Sequence, residues 1–125
     1  MTNGQTTPDN FAAISSGVIS FLGAPHVPVD ELAASGARAA FIGYPFEGGN
    51  AAIERPGSAN GPRGLRIASQ MCFPWSFEWD VDLFEAYNLV DCGDVPVAVG
   101  NAVRTQELAQ AEFEKILAAG AIPIA

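Results

Sequence analysis

Residues 38–44, Arg-Ala-Ala-Phe-Ile-Gly-Tyr, decide the fold. They make a short apolar run closed by Gly43 and Pro45, the pattern of a buried strand. Residues 45–62 are too rich in glycine and proline for a helix or strand interior, so they read as a long loop of the kind that often carries function. Pro62 then sits where a helix can begin, and residues 63–71 read as that helix, with Leu65, Ile67, Ala68 and Met71 as its apolar stripe. Residues 87–91, Tyr-Asn-Leu-Val-Asp, read as a second strand. Residues 102–119 are the clearest helix, with apolar side chains at three- and four-residue spacings and Gly120 as its stop. Residues 121–125 begin a third strand. Strands this apolar are covered on both faces, which implies an α/β fold with a parallel sheet and right-handed crossovers. The aromatic, acidic stretch 73–84 reads as a packed surface loop or short turn.

Residues 1–37 read as an N-terminal arm, interrupted by Gly17, Gly23, Pro25 and Pro28, with one helical turn at 28–32 closed near Gly36. Residues 38–125 then form an incomplete α/β domain. A three-stranded parallel sheet exposes an apolar edge. Ligand sites in such sheets lie beyond the carboxyl ends of the strands. The chain is therefore expected to be a fragment, or one piece completed by another polypeptide.

The 125 residues are 49% hydrophobic and 16% charged, a globular composition. A net charge of −8 with six basic residues argues against nucleic-acid and phospholipid partners. The two cysteines, Cys72 and Cys92, match no zinc spacing and read as buried free thiols in a reducing compartment. The polar N-terminus has no signal-peptide pattern, and no apolar stretch approaches the ~20 residues of a membrane span. The expectation is a soluble, cytoplasmic protein.

Three segments, in order, resemble the ureohydrolases (arginase, agmatinase, guanidinobutyrase, formiminoglutamase). Residues 41–49, Phe-Ile-Gly-Tyr-Pro-Phe-Glu-Gly-Gly, are similar to the family's strand ending in Gly-x-Pro before a glycine-rich turn. Residues 55–66, from Arg55-Pro56-Gly57 through Gly61-Pro62-Arg63 to Leu65-Arg66, resemble its "RPGA..GPR.IR" pattern. Residues 90–96, Val-Asp-Cys-Gly-Asp-Val-Pro, resemble its "D.GDV" strand end. The resemblance covers residues 20 to 125 or so and implies the three-layer, parallel-sheet arginase fold, of which this chain supplies the first strands and helices. The stretch from Gly49 to Arg55 leans in length toward formiminoglutamases.

The resemblance also implies a chemistry. Family members hold two Mn(II), in some members Ni(II), bridging a hydroxide that attacks the guanidino carbon and breaks a C–N bond, releasing urea or a related product. The family's "GGDH", "DAHxD" and "DxD" ligand motifs are absent here, so the chain alone is expected to bind no metal and to be inactive. His26 reads as a packing or surface residue, and Asp80 with Asp82 as a solvated pair. Glu47, Asn50 and Arg55 are the candidates for a substrate-pocket rim; Arg55 and Arg63 also suit bidentate pairing that pins the loop. Asp94 reads as a brace, and Trp75, Phe77 and Trp79 as a subunit or loop contact. The implied partners are the remainder of the polypeptide or a complementing ureohydrolase chain, in a trimer or hexamer, and a small guanidino substrate. The alternative is a non-catalytic partner or remnant that stabilises an active homologue. A nucleotide-binding domain is disfavoured by the missing GxGxxG.

Overall fold

A computed structural model of the protein describes residues 18–48 and 57–125. In chain order its regular elements are α1 (Leu32–Ser35), β1 (Ala39–Gly43), α2 (Gly61–Ser69), β2 (Trp75–Ser76), β3 (Val81–Asp82), α3 (Leu83–Tyr87), β4 (Val90–Asp94), α4 (Ala102–Ala118) and β5 (Ile122–Ile124). Short 3-10 turns stand at Phe21–Gly23, Val29–Glu31 and Ser58–Asn60.

β4, β1 and β5 form a parallel sheet in that spatial order, so β1 is central and all five of its residues are buried. Its side chains alternate between two faces, as a strand requires. Ala40 and Ile42 point into a core with Val90, Cys92, Leu32 and Ile116. Ala39 joins a second cluster with Ala24, Phe84 and Leu89, and Phe41 stacks on Phe21 at 4.4 Å between ring centroids. The connection from β1 through α2 runs to one side of the sheet, and the connection from β4 through α4 returns across β1 to the other. Right-handed crossovers in opposite directions place their helices on opposite faces. α4 accordingly covers the Ile42 face, while Arg66 of α2 lies over the Phe41 ring on the other.

Local chemistry fixes α4. Asn101 caps its start by accepting from the Arg104 N–H at 2.9 Å. Thr105, fully buried, donates to the Asn101 carbonyl and bonds the Ala98 backbone, folding the preceding loop onto the helix. At the other end Gly120 takes φ +82°, and the amides of Gly120 and Ala121 return to the carbonyls of Leu117 and Ile116.

Four expectations need correction. The stripe of α2 faces outward: Leu65 is 53% and Met71 87% exposed, whereas Arg66 and Ser69 are buried against the sheet. A buried carboxylate on β4 demands a cation more strongly than the sheet demands another aliphatic group. Residues 73–84 hold regular structure, an antiparallel β2–β3 hairpin with Trp75 opposite Asp82, running into α3. Asp82 caps α3 by accepting from the amides of Phe84 and Glu85, and Asn88 ends it in the left-handed region. Those two signals carry Tyr87 into the helix, so the second strand begins at Val90. Finally, Cys92 is buried but Cys72 is exposed.

The segment before β1 packs along the sheet. His26 forms a parallel bridge with Asp91; Val27 N–H donates to the Asp91 carbonyl, and Asp91 N–H to that of Pro25. That bridge covers part of the β4 edge. On the other edge, Ile122 and Ile124 of β5 are 61% and 40% exposed. Among the described residues, no helix is long and apolar enough to cross a membrane.

Candidate functional site

The carboxyl ends of β1 and β4 meet at a charged cluster. Asp91 is only 2% exposed, inside a strand flanked by buried Val90 and Cys92. Its two oxygens accept from Arg66 Nε at 2.8 Å and Nη2 at 3.0 Å, the two-pronged geometry a guanidinium offers a carboxylate. They also accept from the amides of Phe21 at 2.8 Å and Gly93 at 2.9 Å. Arg66 donates further to Asp94 at 2.8 Å and to the Gly93 carbonyl at 2.7 Å. Its guanidinium lies 5.0 Å from the Phe41 ring centre, so stacking completes the enclosure. Ser69, one turn on, donates to the Arg66 carbonyl and accepts from Leu22 N–H, tying α2 to the first 3-10 turn.

Burial alone would push the Asp91 carboxyl up; the hydrogen bonds from Arg66, Phe21 and Gly93 outweigh it and hold it below the ordinary aspartate range. Arg66 is driven up, chiefly by its bond to Asp91. Gly43 belongs to the same construction. A Cβ there would collide with the Asp94 carboxylate and approach Pro62 Cβ to 2.6 Å. Only glycine lets the end of β1 pass so close to the brace.

Beside the cluster lies a cleft of about 500 Å³, walled by Ser20, His26, Arg63, Ile67 and Asp94. Asp94 is 46% exposed at its side chain, so part of its carboxylate faces water. His26 Nδ1 is 3.0 Å from the Asp91 carbonyl, which can only accept; the proton therefore sits on Nδ1.

Of the pocket-rim candidates, Glu47 leaves the end of β1 half-buried, and its Oε1 is buried with no hydrogen-bond partner among the described residues. Asn50 and Arg55 lie outside the described residues. Arg63 is exposed on α2; the forked carboxylate pair belongs to Arg66, one turn later. Asp94 is a brace, as expected. Asp80 sits in the hairpin turn at φ +52° and Asp82 is spent on capping α3, so they do not converge on a point. His26 is a surface residue held to β4. Among the described residues no three His, Cys, Asp or Glu side chains are grouped to hold a metal ion. A binuclear centre needs several converging carboxylates and imidazoles. These residues do not fit one, and no metal-bound step belongs to them. Arg66 and Asp91 escaped the sequence reading as a pair. The available signal was a carboxylate at the middle of an apolar strand, which must find a buried cation.

The strand order second-first-third is that of doubly wound α/β proteins, whose ligands bind at the carboxyl ends between the first and third strands. The class defined is thus an open parallel α/β sheet with helices on both faces. The sequence profile of the arginase family matches residues 37–125, and the chain belongs to that family. It is 39% identical over 80 residues to agmatinases of Escherichia coli O1:K1 and Klebsiella pneumoniae, an alignment covering 62% of this chain and 26% of each relative. Among solved structures it resembles the proclavaminate amidino hydrolase of Streptomyces clavuligerus, with TM-score 0.72, 25% identity, and 84% of this chain and 33% of the other covered. It also resembles a hypothetical agmatinase from Burkholderia thailandensis, with TM-score 0.72, 22% identity, and coverage of 88% and 34%. A Trypanosoma cruzi formiminoglutamase solved with Mn2+ matches at TM-score 0.57 and 24% identity, with coverage of 78% and 35%. The chain spans about a quarter of the length of the curated relatives and a third of the solved ones.

Proposed function

We propose that this chain forms the N-terminal part of a binuclear metal-dependent amidinohydrolase, agmatinase- or guanidinobutyrase-like, that cleaves a C–N bond of a linear guanidino compound. The family match across the β1–α2–β4–α4–β5 unit carries this reading. The chain's contribution is the central strand, the Arg66–Asp91–Asp94 brace and the segment bearing Glu47. The remainder of the polypeptide, or a complementing ureohydrolase chain, brings the ligands for two Mn(II) or Ni(II) ions. The metals supply a hydroxide nucleophile at neutral pH. Glu47, with a carboxylate oxygen that lacks a partner among the described residues, suits the cationic end of the substrate. The setting proposed is the cytoplasm.

The test is release of urea or amide from a panel of linear guanidino and formimino compounds by the complete polypeptide. The expected result is turnover of at least one compound, with Glu47→Gln raising KM about tenfold, as loss of one charged contact does. A metal-loaded protein that turns over none of them overturns the reading. A second reading is a non-catalytic partner or remnant that stabilises an active homologue. It is distinguished by activity that resides in another chain and rises when this one is added.

A further inference from the structure

The turn that leaves β1 closes on itself around Glu47. Gly43 is held from β4, its carbonyl accepting from the Val95 N–H at 2.9 Å. Tyr44 packs against the core that α4 covers. Pro45 fixes its own φ, and the Phe46 N–H donates back to the Tyr44 carbonyl at 2.8 Å, a three-residue turn. The two rings that flank Pro45 stack, with 5.5 Å between centroids and 15° between planes. The tip of the Phe46 ring reaches on to Gly48. A Cβ at Gly48 would collide with Phe46 Cζ and lie 2.7 Å from Cε2.

Glu47 stands between the two residues that this ring ties together. The ring cannot draw back from Gly48 without leaving Tyr44, and the core anchors Tyr44. Glu47 is half-buried, and its Oε1 is buried with no hydrogen-bond partner among the described residues. The backbone on either side is therefore what sets its place. A carboxylate held in place beforehand binds a cation more tightly than one that must be ordered on binding.

We propose that Phe46, clamped between the Tyr44 ring and Gly48, is the positioning residue for Glu47 and sets affinity for the cationic end of the substrate rather than the rate of bond cleavage. This rests on the proposed contact of Glu47 with that end.

The test is steady-state kinetics of the complete, metal-loaded polypeptide on the guanidino compound it turns over best. Phe46→Ala and Tyr44→Ala should each raise KM about tenfold, as far as Glu47→Gln does, with kcat within about twofold of wild type. Tyr44→Phe keeps the stack and should leave KM within about twofold of wild type. Phe46→Ala added to Glu47→Gln should raise KM no further, because both remove one contact. A merely structural loss would lower kcat or multiply the Glu47→Gln effect. Should Phe46→Ala not fold, Gly48→Ala, at an exposed position, disturbs the same clamp from its other side and should raise KM equally. A wild-type KM in the clamp variants beside a raised KM in Glu47→Gln overturns the proposal and leaves the hydrolase reading standing. So does a double variant whose effect is the product of the two single ones. A wild-type KM in Glu47→Gln overturns the proposal together with the contact it rests on, and a polypeptide that turns over no compound overturns the hydrolase reading as well.

Discussion

Replacing Arg66 by methionine keeps most of the side chain's bulk and removes its charge. Asp91 stays 2% exposed and retains only the amides of Phe21 and Gly93 as donors. Breaking a buried ion pair from one side costs about 3–5 kcal/mol, a large part of the roughly 5–15 kcal/mol that holds a domain together. The bond to Asp94 is different, because that side chain is 46% exposed and solvent screens it; it contributes at most about 1 kcal/mol. Urea denaturation at unchanged m-value, followed by circular dichroism, measures both. Double-mutant cycles should give a coupling of at least ~2 kcal/mol for Arg66 with Asp91 and under ~1 kcal/mol for Arg66 with Asp94. The pH dependence should weaken. In wild type the Asp91 carboxyl is held low, so its stabilisation is full above the ordinary value near ~4 and is lost as pH falls through the lower folded value. In Arg66→Met the amides of Phe21 and Gly93 still oppose burial, but the largest lowering contribution is gone, so that carboxyl rises from its wild-type value and less stability is lost on acidification. A loss below ~1 kcal/mol in Arg66→Met, or equal couplings to the two aspartates, refutes the reasoning.

Gly43→Ala should destabilise by about 2–4 kcal/mol in the same urea assay, because the new methyl overlaps the Asp94 carboxylate and crowds Pro62. Cys72, exposed, should react with a thiol reagent in the native protein at pH 8; Cys92 should react only on unfolding, since burial with Asp91 and Glu112 nearby pushes its thiol up to about 11. Mass spectrometry of the alkylated peptides reads both sites. Asn101→Ala should cost about 1 kcal/mol by leaving the Arg104 amide without its cap, and Asn101→Ser should recover most of it.

The fold was legible where hydrophobic period and helix punctuation agreed. β1, α4, its Gly120 stop and β5 stand where the apolar runs place them. The motif segments pointed to the family that the comparison shows. Legibility failed where a polar residue was worth more than its apolar neighbours. In α2 the period of Leu65, Ala68 and Met71 was real, but one buried carboxylate turned the helix about its axis so that Arg66 faces inward. The start of β4 moved because Asp82 and Asn88, unremarkable in isolation, cap a short helix between them. In the site, Asp94 could be read as a brace from its place after a strand. Its partner could not, because the sequence separates Arg66 from Asp91 by a hairpin and a helix, and only the packed sheet brings them together.

The central claim is that this chain is the opening part of a metal-dependent ureohydrolase. The most direct test is the intact mass of the purified natural protein with metal content determined on the same sample. The account predicts a polypeptide well above 13.0 kDa, or a tightly bound second chain, carrying about two Mn or Ni ions per site. A 13.0 kDa species with no metal and no companion chain contradicts it.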